Sequence, residues 1–153
     1  MEKNLDFLQR AIELAYANVD KGGRPFGAVI VKDGKIIAQA VNEIMDTNDP
    51  TAHAELLAIR AASRHLGSAS LAGCSVFASG HPCPMCMGAM RLAGIAEVTY
   101  AYSNEDGGPF GLSTAEVYAD LARPFEKQSM KIRHVPARLE GRTDLYPHWK
   151  QQH

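Results

Sequence analysis

The segment "PCPMC", residues 82–86, places the first demand on the fold. Cys83 and Cys86 are three residues apart, so on a helix they lie on one face of a single turn and can share a metal. They can also be a redox pair of the thioredoxin type. As metal ligands they need a third, and two of the chain's six histidines are candidates. His81 is two residues upstream and asks only for a local turn. His53 is thirty residues upstream and asks for two helix starts to meet in space.

The chain supplies two such starts. Leu8, Ile12, Ala15 and Val19 recur at helical spacing, which predicts an amphipathic helix over Leu5–Val19, ended near Gly22 and Gly23. "FGAVIVKDGKIIAQAV" is two β-rich runs about Asp33-Gly34, a hairpin signal. "NEIMDTNDP" reads as a loop. Pro50 suits a first helical position with Asp49 as its cap, opening a helix through "TAHAELLAIRAASRHL" that stops at Gly67. "CSVFAS" predicts a strand. "CPMCMGAMRLAG" predicts a helix, with Pro84 in its first turn and Gly94 past its end.

"IAEVTYAY" follows as a strand and "SNEDGGPFG" as a glycine-rich loop. "STAE", Ser113–Glu116, has the form of a capping box opening a helix to about Leu121. "MKIRHV" reads as a last strand, and "TDLYPHWKQQH" as a short helix or an extended arm. Strand, helix, strand repeats from Cys74 onward, and such crossovers join parallel strands. The expected fold is α/β in three layers. A mixed five-stranded sheet has an antiparallel hairpin at one edge, its last three strands parallel, and helices on both faces. Sites in open sheets of this kind lie at the carboxyl ends of strands, where helix N-termini point.

The bulk properties exclude several classes. At 153 residues, with 46% hydrophobic and 22% charged, the chain suits one domain with a core of its own, over 1–153. Sixteen basic against seventeen acidic residues rule out a polycation built for nucleic acid. The stretch 123–150 holds seven Lys and Arg against three acids and reads as a solvated surface. "MEKNLDFLQR" does not read as a signal peptide, and no apolar run approaches the length of a membrane span. Three cysteines form no disulfide framework, which points to a reducing, cytoplasmic setting.

His53, Cys83 and Cys86 make three protein ligands for one tetrahedral Zn2+ per chain, leaving the fourth place to water or hydroxide, as in catalytic sites. Zinc brings the pKa of that water from about 15.7 to about 7. Glu55, a carboxylate that is not a ligand, suits a proton carrier. On an ideal helix His53 and Glu55 are about 200° apart, so they converge only if the first turn lets side chains reach past its open end. A closed structural site of His53, His81, Cys83 and Cys86, or a non-catalytic CxxC protein, is the competing reading.

His53-Ala54-Glu55 followed by Pro82-Cys83-Pro84-Met85-Cys86 resembles the zinc-dependent cytidine deaminase superfamily, whose signature is H-x-E followed by P-C-x-x-C. The surrounding "NDPTAHAE" and "PCPMCMGA" are similar to its nucleobase and tRNA-adenosine branch, and most of all to bacterial guanine deaminases. The likeness runs from about Phe26 to Tyr102. It implies the cytidine-deaminase-like fold, with His53, Cys83 and Cys86 on zinc and Glu55 as proton shuttle. It further implies base contacts from Phe26, Asn42 and the Ala54 backbone, a small nucleobase-like substrate, and a homodimer.

On residues alone, Phe26 is equally a core residue and Asn42 equally a turn former. Where guanine deaminases carry a further acidic contact, this chain has Ser113 and Thr114, which leaves guanine-, isocytosine-, cytosine- and aminotriazine-like substrates open. His81 stands where many relatives have glutamate, and is expected beside the metal, not on it. Tyr146 and Trp149 are candidate lid residues. A tRNA or single-stranded nucleic acid adenosine deaminase is the second functional reading.

Overall fold

The computed structural model describes residues 2–153, which form two compact units, one ending at Ala122 and the other Arg123–His153. In the first, α1 (Glu2–Asp20) leads into a hairpin of β1 (Gly27–Lys32) and β2 (Lys35–Val41). Asp33 and Gly34 both take positive φ, 51° and 77°. That is the demand of a two-residue I′ turn, and the reason for the Asp-Gly pair. A short α2 (Ile44–Thr47) precedes α3 (Ala54–Leu66), β3 (Cys74–Gly80), α4 (Pro84–Ala93), β4 (Glu97–Tyr102), α5 (Asn104–Gly107) and α6 (Ala115–Leu121).

The sheet is mixed, in the order β2-β1-β3-β4. β1 is antiparallel to both neighbours, and β3 runs parallel to β4. β1 is buried on both faces, so its run is continuously apolar instead of alternating. Val29, Val31 and Phe77 pack under Phe7, Leu8 and Leu14 of α1. On the other face Ala28, Ile30 and Val76 join Ala54, Ala58, Cys86 and Met90 of α3 and α4. Gly27 has to be glycine, since a Cβ there would lie 2.4 Å from the Ala11 carbonyl oxygen.

Three expectations are corrected. The sheet has four strands, not five, with one parallel pair in place of three parallel strands. "MKIRHV" pairs with no strand among the described residues and belongs to the second unit. Its alternation suits a sheet edge, but β-propensity is a property of the packed surface and not of the segment. The helix expected from Pro50 begins at Ala54 instead, because Asp49 accepts from the Thr51 N–H (2.8 Å) and hydroxyl (2.7 Å) and closes a turn over Pro50.

The capping box is likewise displaced. Ser113 Oγ accepts from the Ala115 N–H at 3.1 Å, so Thr114 becomes the N-cap and Glu116 lies one residue too early to complete the box. Ser103 and Asp106 form one instead, opening α5 inside the stretch read as a loop. The second unit carries a 3-10 turn (Phe125–Lys127) and α7 (Leu145–Gln152), the helical form of the tail. Among the described residues no helix is long and apolar enough to cross a membrane.

Candidate metal centre

His53 is the N-cap of α3, with extended backbone (φ −78°, ψ 150°). Its side chain is therefore free of the helical 100° rotation that would have turned it away from Glu55. Ala54 and Glu55 are the first two helical residues, both buried, Glu55 at 7% exposure. The later helix start, forced by the Asp49–Thr51 turn, is what puts His53 and Glu55 at one open helix end.

Cys83 repeats the arrangement as the N-cap of α4 (φ −74°, ψ 167°), with Pro84 in the first position and Cys86 one turn on. A following proline disfavours helical φ/ψ at Cys83 and holds it extended. Both thiols are buried. The N-termini of two helices thus converge, and their free N–H groups favour negative charge there.

The three side chains meet. His53 Nδ1 lies 3.4 Å from Cys83 Sγ and 3.6 Å from Cys86 Sγ. All three donor atoms fall within 4.8 Å of one another, and among the described residues they are the cluster able to hold a metal. A tetrahedral zinc with Zn–S of about 2.3 Å and Zn–N of about 2.0–2.1 Å needs N···S edges of about 3.6 Å. The donor set and its spacing fit zinc.

The electrostatics are strongly perturbed. Burial, above all, pushes the Glu55 carboxyl up to about 7, and the side chain is within hydrogen-bonding reach of Cys86. A hydrogen bond with Cys86 first, then one with His53, holds the Cys83 thiol down at about 4, and the pairing raises Cys86. Between protein atoms alone the two sulfurs share one proton. The hydrogen bond to Cys83 raises His53. A bound cation would take both sulfurs as thiolates.

Asn42 is 4% exposed, and its Oδ1 accepts from the Ile44 N–H at 3.0 Å, which leaves the NH2 end to offer a ligand. Phe26 lies against Gly80, where a Cβ would come within 3.0 Å of the ring, and the Arg24 guanidinium sits 5.9 Å from its centroid. A largely apolar cavity of about 510 Å³ is lined in part by Phe26, Gly80 and His81. None of His53, Glu55, Cys83 or Cys86 lines it, so the cavity does not contain the donor cluster.

His81 is outside the donor cluster. Its ring packs on Tyr100 (centroids 4.6 Å) and edge-on to Tyr118 (5.5 Å), and its Nδ1 is buried without a partner. Two further residues were not foreseen. Asn18 Nδ2 donates to the carbonyls of Arg24 (2.8 Å) and Asn42 (2.9 Å), and the Tyr118 hydroxyl donates to the Pro82 carbonyl. Asn18 carries one faint signal, a polar residue next to the apolar stripe just before Gly22-Gly23. Tyr118 carries none.

Residues 1–102 match the model of the cytidine and deoxycytidylate deaminase zinc-binding region. The chain is 44% identical to the guanine deaminase of Bacillus subtilis (strain 168) over 130 residues, 84% of this chain and 83% of that protein. It is 43% identical to the tRNA-specific adenosine deaminase of Aquifex aeolicus (strain VF5) over 140 residues, 91% of this chain and 88% of that one. The X-ray structure of the Bacillus subtilis guanine deaminase superposes with a TM-score of 0.84 at 40% identity, covering 96% of this chain and 92% of that one.

Proposed function

We propose that this chain, which belongs to the cytidine and deoxycytidylate deaminase family, hydrolyses the exocyclic C–N bond of a free nucleobase or related amino-substituted heterocycle and releases ammonia. The observation that carries the reading is the His53–Cys83–Cys86 triangle with Glu55 buried beside it. His53, Cys83 and Cys86 would hold one zinc per chain. When bound, the metal supplies a hydroxide nucleophile near neutral pH. Glu55, with its carboxyl near 7, carries the two protons of the water in turn, the first to a ring nitrogen and the second to the leaving amine. A C–O bond forms, the C–N bond breaks, and ammonia departs.

Phe26 stacks on the ring, the Asn42 NH2 donates to a ring or carbonyl acceptor, and the Ala54 backbone meets the base edge. The substrate is guanine-, isocytosine- or cytosine-like. An ammonia-release screen over guanine, isocytosine, cytosine, adenine, aminotriazines and their nucleosides tests this, and release from none of them refutes it.

A second reading is deamination of adenosine in tRNA, favoured by the Aquifex aeolicus relative and by the basic stretch 123–150. Salt-sensitive RNA binding with ammonia release from tRNA alone would establish it over the first. The proposal assigns residues 1–153 to one deaminase domain acting in the cytoplasm, so a chain ending at Ala122 should lose turnover. It also includes a homodimer. Tyr100 and Tyr102 stand 42% and 51% exposed on β4, whose outer edge no described strand covers, and such edges invite pairing. Light scattering on the purified chain decides the dimer.

A further inference from the structure

We propose that Tyr118 is a positioning residue for the metal centre, its hydroxyl fixing the Pro82–Cys83 peptide and with it the direction of the Cys83 sulfur. The inference rests on the zinc reading of the His53–Cys83–Cys86 cluster. Cys83 stands between two prolines, neither of which has an N–H to anchor the loop. The backbone on either side is held. The His81 N–H donates to the Tyr102 carbonyl at 2.8 Å, and the Cys83 carbonyl accepts from the Met87 N–H at 3.0 Å.

Between those two anchors lies the Pro82 carbonyl, which shares its peptide plane with the Cys83 nitrogen. The Tyr118 hydroxyl donates to that carbonyl. Rotation of the plane would change φ at Cys83 and swing its Cβ–Sγ bond, so holding the plane holds the ligand. The Tyr118 ring is itself held. It meets the His81 ring edge-on at 68°, and His81 rests on Tyr100, so three rings from α6, the ligand loop and β4 pack in sequence. α6 opens at Ala115, well outside the two metal-binding motifs, and through this one side chain it acts on the centre.

Groups that orient a ligand without touching the metal typically cost about 10- to 100-fold in metal affinity or activity when removed. Tyr118→Phe removes only the hydroxyl and keeps the ring stack. The measurements are the rate of zinc release to a chelator, the visible spectrum of the cobalt-substituted protein, and the melting temperature of the metal-free protein. We expect release at least about tenfold faster, shifted thiolate-to-cobalt bands, and kcat reduced more than KM is raised, with the metal-free melt lowered by no more than the few degrees that one hydrogen bond accounts for.

Val117→Ala, on the same helix, perturbs packing without touching the hydroxyl and should leave release unaltered. Release and spectrum identical to the parent would overturn the proposal. So would a Tyr118→Phe melt that falls by more than those few degrees, or a Val117→Ala effect of equal size, since either marks general loosening. A parent protein that binds no zinc would instead refute the reading of the centre itself.

Discussion

Asn18, near the end of α1, donates its side-chain amide to the main-chain carbonyl of Asn42 at 2.9 Å, and with the same nitrogen to Arg24 at 2.8 Å. One buried residue thus ties the first helix to both segments that carry Phe26 and Asn42. Asn18→Ala leaves two carbonyls without this donor, at a cost of about 1–3 kcal/mol. For a chain of this size that is a fall in melting temperature of several degrees, at about 2–4 °C per kcal/mol. KM should rise while zinc content stays at one per chain. A melt and a KM equal to those of the parent would remove Asn18 from the site's support.

The metal assignment separates two histidines, one two residues and the other thirty residues before Cys83. His53→Ala, Cys83→Ser and Cys86→Ser should each lower bound zinc well below one per chain by elemental analysis and abolish turnover. His81→Ala should keep one zinc, because its ring is packed on tyrosines and lies outside the donor cluster. Chelation of the parent should remove activity, and added Zn2+ should restore it. Loss of zinc from His81→Ala would revive the closed four-ligand site.

What the sequence made legible was local chemistry with a single structural solution. Asp33-Gly34 admits the I′ turn and little else, and Gly67 and Gly94 end α3 and α4 with positive φ. "HAE" and "PCPMC" were readable because metal geometry restricts which residues can serve. What was hidden depended on competition between neighbours. Asp49 could cap a helix or close a turn on Thr51, and the turn won, moving the helix start to Ala54 and rescuing the His53–Glu55 geometry that a start at Pro50 would have spoiled. Ser113 and Ser103 each have an acid three residues on, and only Ser103 becomes the N-cap of its helix, while Ser113 accepts from the Ala115 N–H and leaves the cap to Thr114. Tyr118 was illegible because its hydrogen bond crosses 36 residues to a carbonyl, which has no sequence signature.

Glu55 gives a pH signature independent of turnover. Its carboxyl sits near 7 in the fold against 4.5 ordinarily, so the folded chain holds the proton more tightly than the unfolded chain. Below about pH 4.5 both states are protonated and the burial costs nothing. As pH rises through 7 the ionised form must be buried, and stability falls by on the order of 3 kcal/mol. Glu55→Gln removes that loss. In metal-free protein it should melt above the parent at pH 8 and with it near pH 4.5. The same variant should retain zinc when loaded and lose about 10²- to 10⁴-fold in kcat. An active Glu55→Gln enzyme would refute the proton-shuttle role, and a melt difference that does not vary with pH would refute the burial argument.

Asn42 tests the orientation of the substrate. Its Oδ1 is engaged by the Ile44 N–H at 3.0 Å, a bond that holds the turn into α2, so only the NH2 end is available to a ligand. Asn42→Asp preserves the acceptor toward Ile44 but replaces the donor end with a carboxylate oxygen. If the residue donates to a ring or carbonyl acceptor, the substitution removes that bond and sets two acceptors against each other. KM should rise by about 10- to 100-fold, the equivalent of 1–3 kcal/mol, with zinc content close to the parent and, at a pH low enough to keep the new buried carboxyl protonated, a melting temperature close to it as well. Asn42→Ala would lose the turn as well, and its melt should fall. The comparison separates the two jobs of one side chain. An Asn42→Asp enzyme with unchanged KM would show that the substrate does not use this amide, and an Asn42→Ala melt equal to that of Asn42→Asp would show that the turn does not need it.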